Sequence, residues 1–125
     1  MKLLVIGSGL RELCGDQAAL GLQFLEPART APNYRLLSID DTYAALVEDP
    51  HAGAAIEGEL VEVALERLAE LVASEPPGVV QAPVELEDGR VVSAACAQTG
   101  ALTGEVKDIT AYGGFAAYRR ASESA

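Results

Sequence analysis

The sequence predicts a single α+β domain in which a small curved, mostly antiparallel or mixed sheet is closed by a few helices. Three observations predict it. Short β-favouring runs recur along the chain, starting with residues 2–6. Only residues 65–73 carry clear helical spacing. No repeat or linker divides the 125 residues into two units. Helices are too few for a doubly wound parallel sheet.

Residues 2–6 form a continuous apolar run that stops at Gly7, Ser8 and Gly9, the pattern of an interior strand entering a tight loop. The run is too short for a signal-peptide core or a membrane span, so it reads as a buried strand and the chain as cytoplasmic. Asp16 can cap a short helix over residues 17–20, which Gly21 ends. A short strand over 22–25 follows, then a strand over 34–39 with Pro32 just before it, where proline is tolerated. Asp40 and Asp41 read as a turn, and residues 43–47 as the next strand. Residues 56–63 alternate imperfectly, as in a mid-sheet strand, with Gly58 marking a bulge or a close approach.

Leu65, Leu68, Leu71 and Val72 lie on one helical face, and Pro76, Pro77 and Gly78 stop that helix. Residues 79–86 and 91–96 read as a hairpin turned by Asp88 and Gly89. Asp108 or Thr110 can cap a last helix through Phe115 and Tyr118. The domain is expected to span residues 1–120, with 121–125 a frayed tail.

Charge narrows the partners. Nine basic residues stand against 19 acidic ones, a formal charge of −10, which repels nucleic-acid backbones and anionic membranes. Cys14 and Cys96 match no metal or redox spacing and read as reduced thiols; His51 is the one histidine, so no metal site or cofactor is expected. No Gly-x-Ser-x-Gly elbow supports a serine hydrolase.

Several residues are candidate binding groups. Closely spaced glycines let backbone amides converge, so Gly7, Ser8, Gly9 and Leu10 read either as a nest for a carboxylate or oxyanion, or as a turn chosen for its φ angles. Tyr34 can orient a small polar ligand or pack with its hydroxyl on the backbone. Glu57 and Glu59 share one strand face, and a carboxylate such as Glu59 in an apolar cavity could move protons; the alternative is a wetted face. Tyr112, Gly113 and Gly114 introduce a stretch where free amides or close packing are both available, with Tyr112, Phe115 and Tyr118 able to cover the core. Glu75, beside Pro76, is placed where the chain turns back toward the sheet.

Two stretches carry a family resemblance. Arg29-Thr30-Ala31-Pro32-Asn33-Tyr34-Arg35-Leu36 resembles the Arg-Thr-Ala-Pro-x-Tyr-Arg-Leu signature of allophanate hydrolase C-terminal domains. Residues 108–118, Asp-Ile-Thr-Ala-Tyr-Gly-Gly-Phe-Ala-Ala-Tyr, resemble their closing Asp-Ile-Thr-x-x-Gly-Gly-Trp-x-x-Tyr, with Phe115 in place of the tryptophan. Residues 4–10 are similar to the family's opening Val-Gly-Ala-His-Leu, whose histidine falls on Gly9 here. Residues 55–63 are similar to its central strand. The resemblance implies a γ-glutamylcyclotransferase-like fold: a small curved mixed β-sheet or barrel with two to four flanking helices and a cavity near the first loop.

In the full-length enzymes this domain follows an amidase domain, and decarboxylation of the product or help in assembly are its proposed roles. The amidase portion has no counterpart here, and Gly9 removes the imidazole that a decarboxylase would use. In the wider cyclotransferase group the catalytic glutamate falls about where Glu75 stands. Such a base would take a proton from a γ-glutamyl amine, which then closes on the γ-carbonyl to give 5-oxoproline. The expected partners are a small molecule with a carboxylate or amide, and either a separately encoded amidase or further copies of the chain.

Overall fold

A computed structural model describes residues 1–124. The described residues form eight strands in one mixed sheet: β1 (Lys2–Val5), β2 (Leu22–Arg29), β3 (Tyr34–Ile39), β4 (Tyr43–Glu48), β5 (Glu57–Val63), β6 (Val79–Glu85), β7 (Val91–Ala97) and β8 (Val106–Asp108). Helices are α1 (Arg11–Cys14), α2 (Leu65–Ala73) and α3 (Phe115–Ser124). Helix α3 thus covers most of the stretch expected as a tail, and Ala125 lies outside the described residues.

The hydrogen-bonded order is β2-β5-β1-β7-β4-β3-β8, with β6 on the other edge of β7. This corrects the expected curved sheet or barrel: the sheet is open, and no ladder joins β2 to β8. Both ends are poor closing edges. Pro27 gives β2 no N–H, and its register shifts between Phe24 and Glu26. Strand β8 has only three residues, all exposed. Short or irregular edges of this kind prevent further pairing.

Strand β7 serves two partners along one edge. Leu3 and Leu4 of β1 pair in parallel with Ser93 and Ala94, and Leu46 of β4 pairs in parallel with Cys96. Because β4 takes over that edge, β1 cannot continue along it, and the chain leaves the sheet after Ile6. At Gly7 it runs so close to β4 that an added Cβ would stand 3.2 Å from the Ala44 Cβ. Gly7 and Gly9 do not have positive φ. What glycine gives position 7 is space and not a backbone angle: a Cβ there would have to push Ala44 by a few tenths of an ångström.

Gly58 has the same reason. It lies opposite Ala28 without a register shift, and a Cβ there would be 2.6 Å from the Val5 carbonyl oxygen. Of the bulge or close approach expected at Gly58, the close approach is the one present, and the bulge is on β2. Positive φ concentrates at the β3–β4 turn, where Asp40 and Asp41 adopt 54° and 55°. In the β6–β7 turn only Gly89 does so, at 92°. Aspartate tolerates this region better than most residues, and here the Asp41 carboxylate accepts a hydrogen bond from the Tyr118 hydroxyl at 2.6 Å. That bond holds the carboxyl below its ordinary pKa and ties α3 to the hairpin.

Phe115 and Tyr118 are buried against the main core with Leu4, Leu36, Ile56 and Val61, whereas Tyr112 remains half-exposed. Tyr112 precedes α3 in a 3-10 turn, so the three aromatic rings do not share one helical face. Thr30 is fully buried: its hydroxyl donates to the Ala31 carbonyl (2.8 Å) and accepts from the Ile56 amide (2.9 Å). Thr30→Val keeps the shape but leaves the Ile56 N–H unpaired. It is expected to lower stability by about 1–3 kcal/mol, while Thr30→Ser retains most of it. Urea denaturation of the two variants checks this, and equal stability would contradict it.

Candidate functional site

The loop between β1 and α1 separates two concavities. One, of about 310 Å³, is lined by Gly7, Ser8 and Gly9 from the loop, Tyr43 and Ala44 from β4, Gln81 from β6, and Glu75 after α2. Leu20, Leu22, Leu68 and Leu71 complete it as an apolar wall. Two local features deliver these groups. The takeover of the β7 edge turns the loop out of the sheet. Amphipathic α2 buries Leu68, and the chain after it passes the sheet through Ser74 and Glu75 before Pro76.

Glu75 is half-buried; its amide donates to the Val72 carbonyl at 3.1 Å, but its carboxyl makes no hydrogen bond or ion pair with the described residues. Burial alone pushes its carboxyl above the ordinary value of 4.5. The amides of Ser8 and Gly9 donate to no described residue, because the turn uses only the Leu10 amide, to the Gly7 carbonyl at 3.0 Å. The site therefore combines uncommitted donors on the loop with an uncommitted carboxyl across the cavity.

Other candidates lie elsewhere. Leu10 and Glu59 line the second concavity, about 560 Å³, together with Arg29, Glu57, Glu87 and Gly114. Glu59 accepts from the Arg11 guanidinium (2.8 Å) and the Gln17 amide nitrogen (2.9 Å). Tyr34 is buried with its hydroxyl accepting the Glu85 amide at 3.0 Å, in neither concavity. Tyr112 packs edge-on against Tyr118, and the Gly113 carbonyl accepts the Glu57 amide at 2.8 Å. The cysteines are separate and free. Burial, with Glu48 nearby, pushes the Cys96 thiol up to about 11, and burial also raises Cys14. Among the described residues no group of three His, Cys, Asp or Glu is arranged to hold a metal ion, and no helix is long and apolar enough to cross a membrane.

Sequence reasoning missed Gln17, Tyr43 and Gln81. Gln17 is buried, and its amide nitrogen donates to both the Gly9 carbonyl and Glu59, each at 2.9 Å, so it braces the loop from behind. Nothing local marks it. Its partners are 8 and 42 residues away and meet only in the folded chain.

Comparison with known proteins follows the same lines. Residues 1–120 match the allophanate hydrolase C-terminal domain. The chain belongs to this family. Among solved structures, a uropathogenic E. coli-specific protein is 27% identical with a TM-score of 0.81, covering 95% of this chain and 94% of that one. The urea amidolyase of K. lactis is 25% identical with a TM-score of 0.84, over 98% of this chain but 8% of that enzyme. Kluyveromyces lactis allophanate hydrolase is 26% identical with a TM-score of 0.83, over 97% of this chain and 21% of that one. The chain thus spans about a fifth or less of these two yeast enzymes. No curated protein matches it.

The two signature stretches of the family meet in space. Arg35 forms an ion pair with Asp108, the Leu36 amide donates to the Thr110 hydroxyl at 2.9 Å, and the Ile109 amide donates to the Leu36 carbonyl, also at 2.9 Å. Asp108 in turn accepts the Thr110 hydroxyl at 2.6 Å. These residues hold the scaffold together and line neither concavity.

The raised pKa of Glu75 has a consequence for stability. The folded state holds this proton more tightly than the unfolded chain, so the contribution is complete below the ordinary 4.5 and is lost as pH rises through the folded value. Glu75→Gln is therefore expected to match the parent near pH 4 and to exceed its melting temperature at pH 7 to 8. Thermal melts across that range check it; a pH-independent difference would refute the desolvated carboxyl.

Proposed function

We propose that this domain binds a small amide, urea-derived or γ-glutamyl compound in the 310 Å³ cavity and that Glu75 moves the proton in a cyclotransferase-like reaction. The observation that carries the reading is the position of Glu75: unpaired, desolvated, and on the same cavity as Gly7, Ser8 and Gly9. A base must reach the proton it abstracts and have a pKa lifted toward working pH, and burial supplies the lift. The free amides of Ser8 and Gly9 supply what a developing oxyanion needs, fixed donors that do not reorganise. With a γ-glutamyl substrate, Glu75 takes a proton from the α-amine. The amine nitrogen attacks the γ-carbonyl carbon, and the leaving amine departs with a proton returned from Glu75.

Titrating γ-glutamyl dipeptides, 5-oxoproline, allophanate and malonate should shift the amide resonances of Gly7, Ser8 and Gly9 for those that bind. Turnover should fall by about 100-fold or more in Glu75→Gln with affinity nearly intact. Silence at the loop with every compound would remove the reading, and unimpaired turnover in the variant would remove Glu75 as the proton-transfer group.

The accessory role rests on a different observation, that this domain matches one part of much longer enzymes, the yeast urea amidolyase and allophanate hydrolase. On that reading the chain docks onto a separately encoded amidase. Sedimentation of the chain mixed with an amidase from the same genome should then give a complex. Independent sedimentation of the two would reject it.

A further inference from the structure

The larger concavity, about 560 Å³, carries charge that the fold leaves unpaired. Six ionisable side chains line it: Glu12, Arg29, Glu57, Glu59, Glu87 and Arg120. Glu12 pairs with Arg120, and Glu59 accepts from Arg11 and Gln17. The other three are uncommitted. The Arg29 guanidinium and the carboxyls of Glu57 and Glu87 make no hydrogen bond or ion pair with the described residues. Among those residues no hydroxyl, thiol, histidine or side-chain amide lines the space, so these charges are its whole side-chain chemistry.

Two of the three are neighbours. Strands β2 and β5 set Arg29 directly opposite Glu57. Opposed residues of an antiparallel pair share a sheet face, with Cβ atoms about 5 Å apart. A cation and an anion therefore stand side by side without closing on each other. Gly114 keeps the ground beside Glu57 clear. It does not have positive φ, yet a Cβ there would stand 3.3 Å from the Glu57 Cβ and 3.7 Å from its Oε2.

We propose that this concavity is a second binding site, separate from the small cavity, for a zwitterionic amino acid with an aliphatic side chain. The planar Arg29 fork takes the carboxylate and Glu57 takes the ammonium. Each ligand charge then meets a group that has no partner in the protein. A ligand with one charge satisfies only half of the pair. A lone carboxylate is the poorer half, because it also meets the fields of Glu57 and Glu87 on a protein at −10. Leu10, Pro27, Ala28, Ala116 and Ala117 supply apolar surface for the side chain.

The test titrates the full ¹⁵N-labelled chain near pH 7 with leucine, with isopentylamine, which lacks its carboxylate, and with isocaproate, which lacks its amine. Kd is read from the amides of Arg29, Gly58 and Gly114, and Gly7 and Ser8 report on the small cavity. Leucine is expected to bind at least about tenfold more tightly than isopentylamine, with isocaproate weakest. Arg29→Gln should bring leucine to within about threefold of isopentylamine without weakening isopentylamine itself. Glu57→Gln should weaken leucine at least about tenfold without weakening isocaproate. The comparison of the three compounds on the unaltered chain stands whether or not the variants fold.

Leucine binding no more tightly than isopentylamine would overturn the proposal. So would a preference for leucine that survives Arg29→Gln, or no shift at Arg29, Gly58 and Gly114 with any of the three. Shifts confined to Gly7 and Ser8 would also overturn it, since the ligand would then occupy the small cavity.

Discussion

Strand β7 has one edge for two strands, and the handover between them shapes what this domain can do. Between Ala94 and Cys96 the edge passes from β1 to β4. Here β1 is forced out of the sheet, and in the loop that follows the amides of Ser8 and Gly9 donate to no described residue. Gly7, having no side chain, lets the loop leave close against Ala44. The small cavity is the space this departure opens, and α2 and the segment after it close the far side with leucines and one carboxyl.

The loop is braced from outside the cavity. Gln17 holds the Gly9 carbonyl and Glu59 together, and Arg11 in turn grips Glu59 while lying over the Phe24 ring at 3.6 Å. Preorganised donors are effective because they do not have to be reoriented when charge develops, and this bracing is how the loop amides are held. The larger concavity lies on the opposite side of the same brace, which is why Leu10 and Glu59 part company from Gly7, Ser8 and Gly9.

The most recognisable stretches of the chain are joined to each other in the fold. Residues 29–36 and 108–118 meet through Arg35 with Asp108, and Leu36 with Thr110 and Ile109. Tyr118 then fixes the strained Asp41 turn that leads into Tyr43 on the cavity wall. Resemblance in these stretches establishes the scaffold, and Arg29 and Gly114 from them also line the larger concavity. The residues lining the small cavity come from elsewhere in the chain.

Local pattern in the sequence was enough for most elements. The bounds of β3 and α2 follow from alternation and helical spacing, and Gly7 and Glu75 were readable as special positions from a strand end and a helix stop. Curvature and closure were not readable, because they depend on which edges remain pairable: Pro27, the bulge in β2 and the brevity of β8 leave the sheet open. Nor were Gln17, Tyr43 and Gln81 readable as site residues, since their meaning comes from partners distant in the chain. Whether Glu75 would share a cavity with the loop was equally undecided by order along the chain. Desolvation is a property of three-dimensional surroundings, and only the packing of α2 against the sheet turned an ordinary glutamate into an unpaired carboxyl lining the same cavity of about 310 Å³ as the loop.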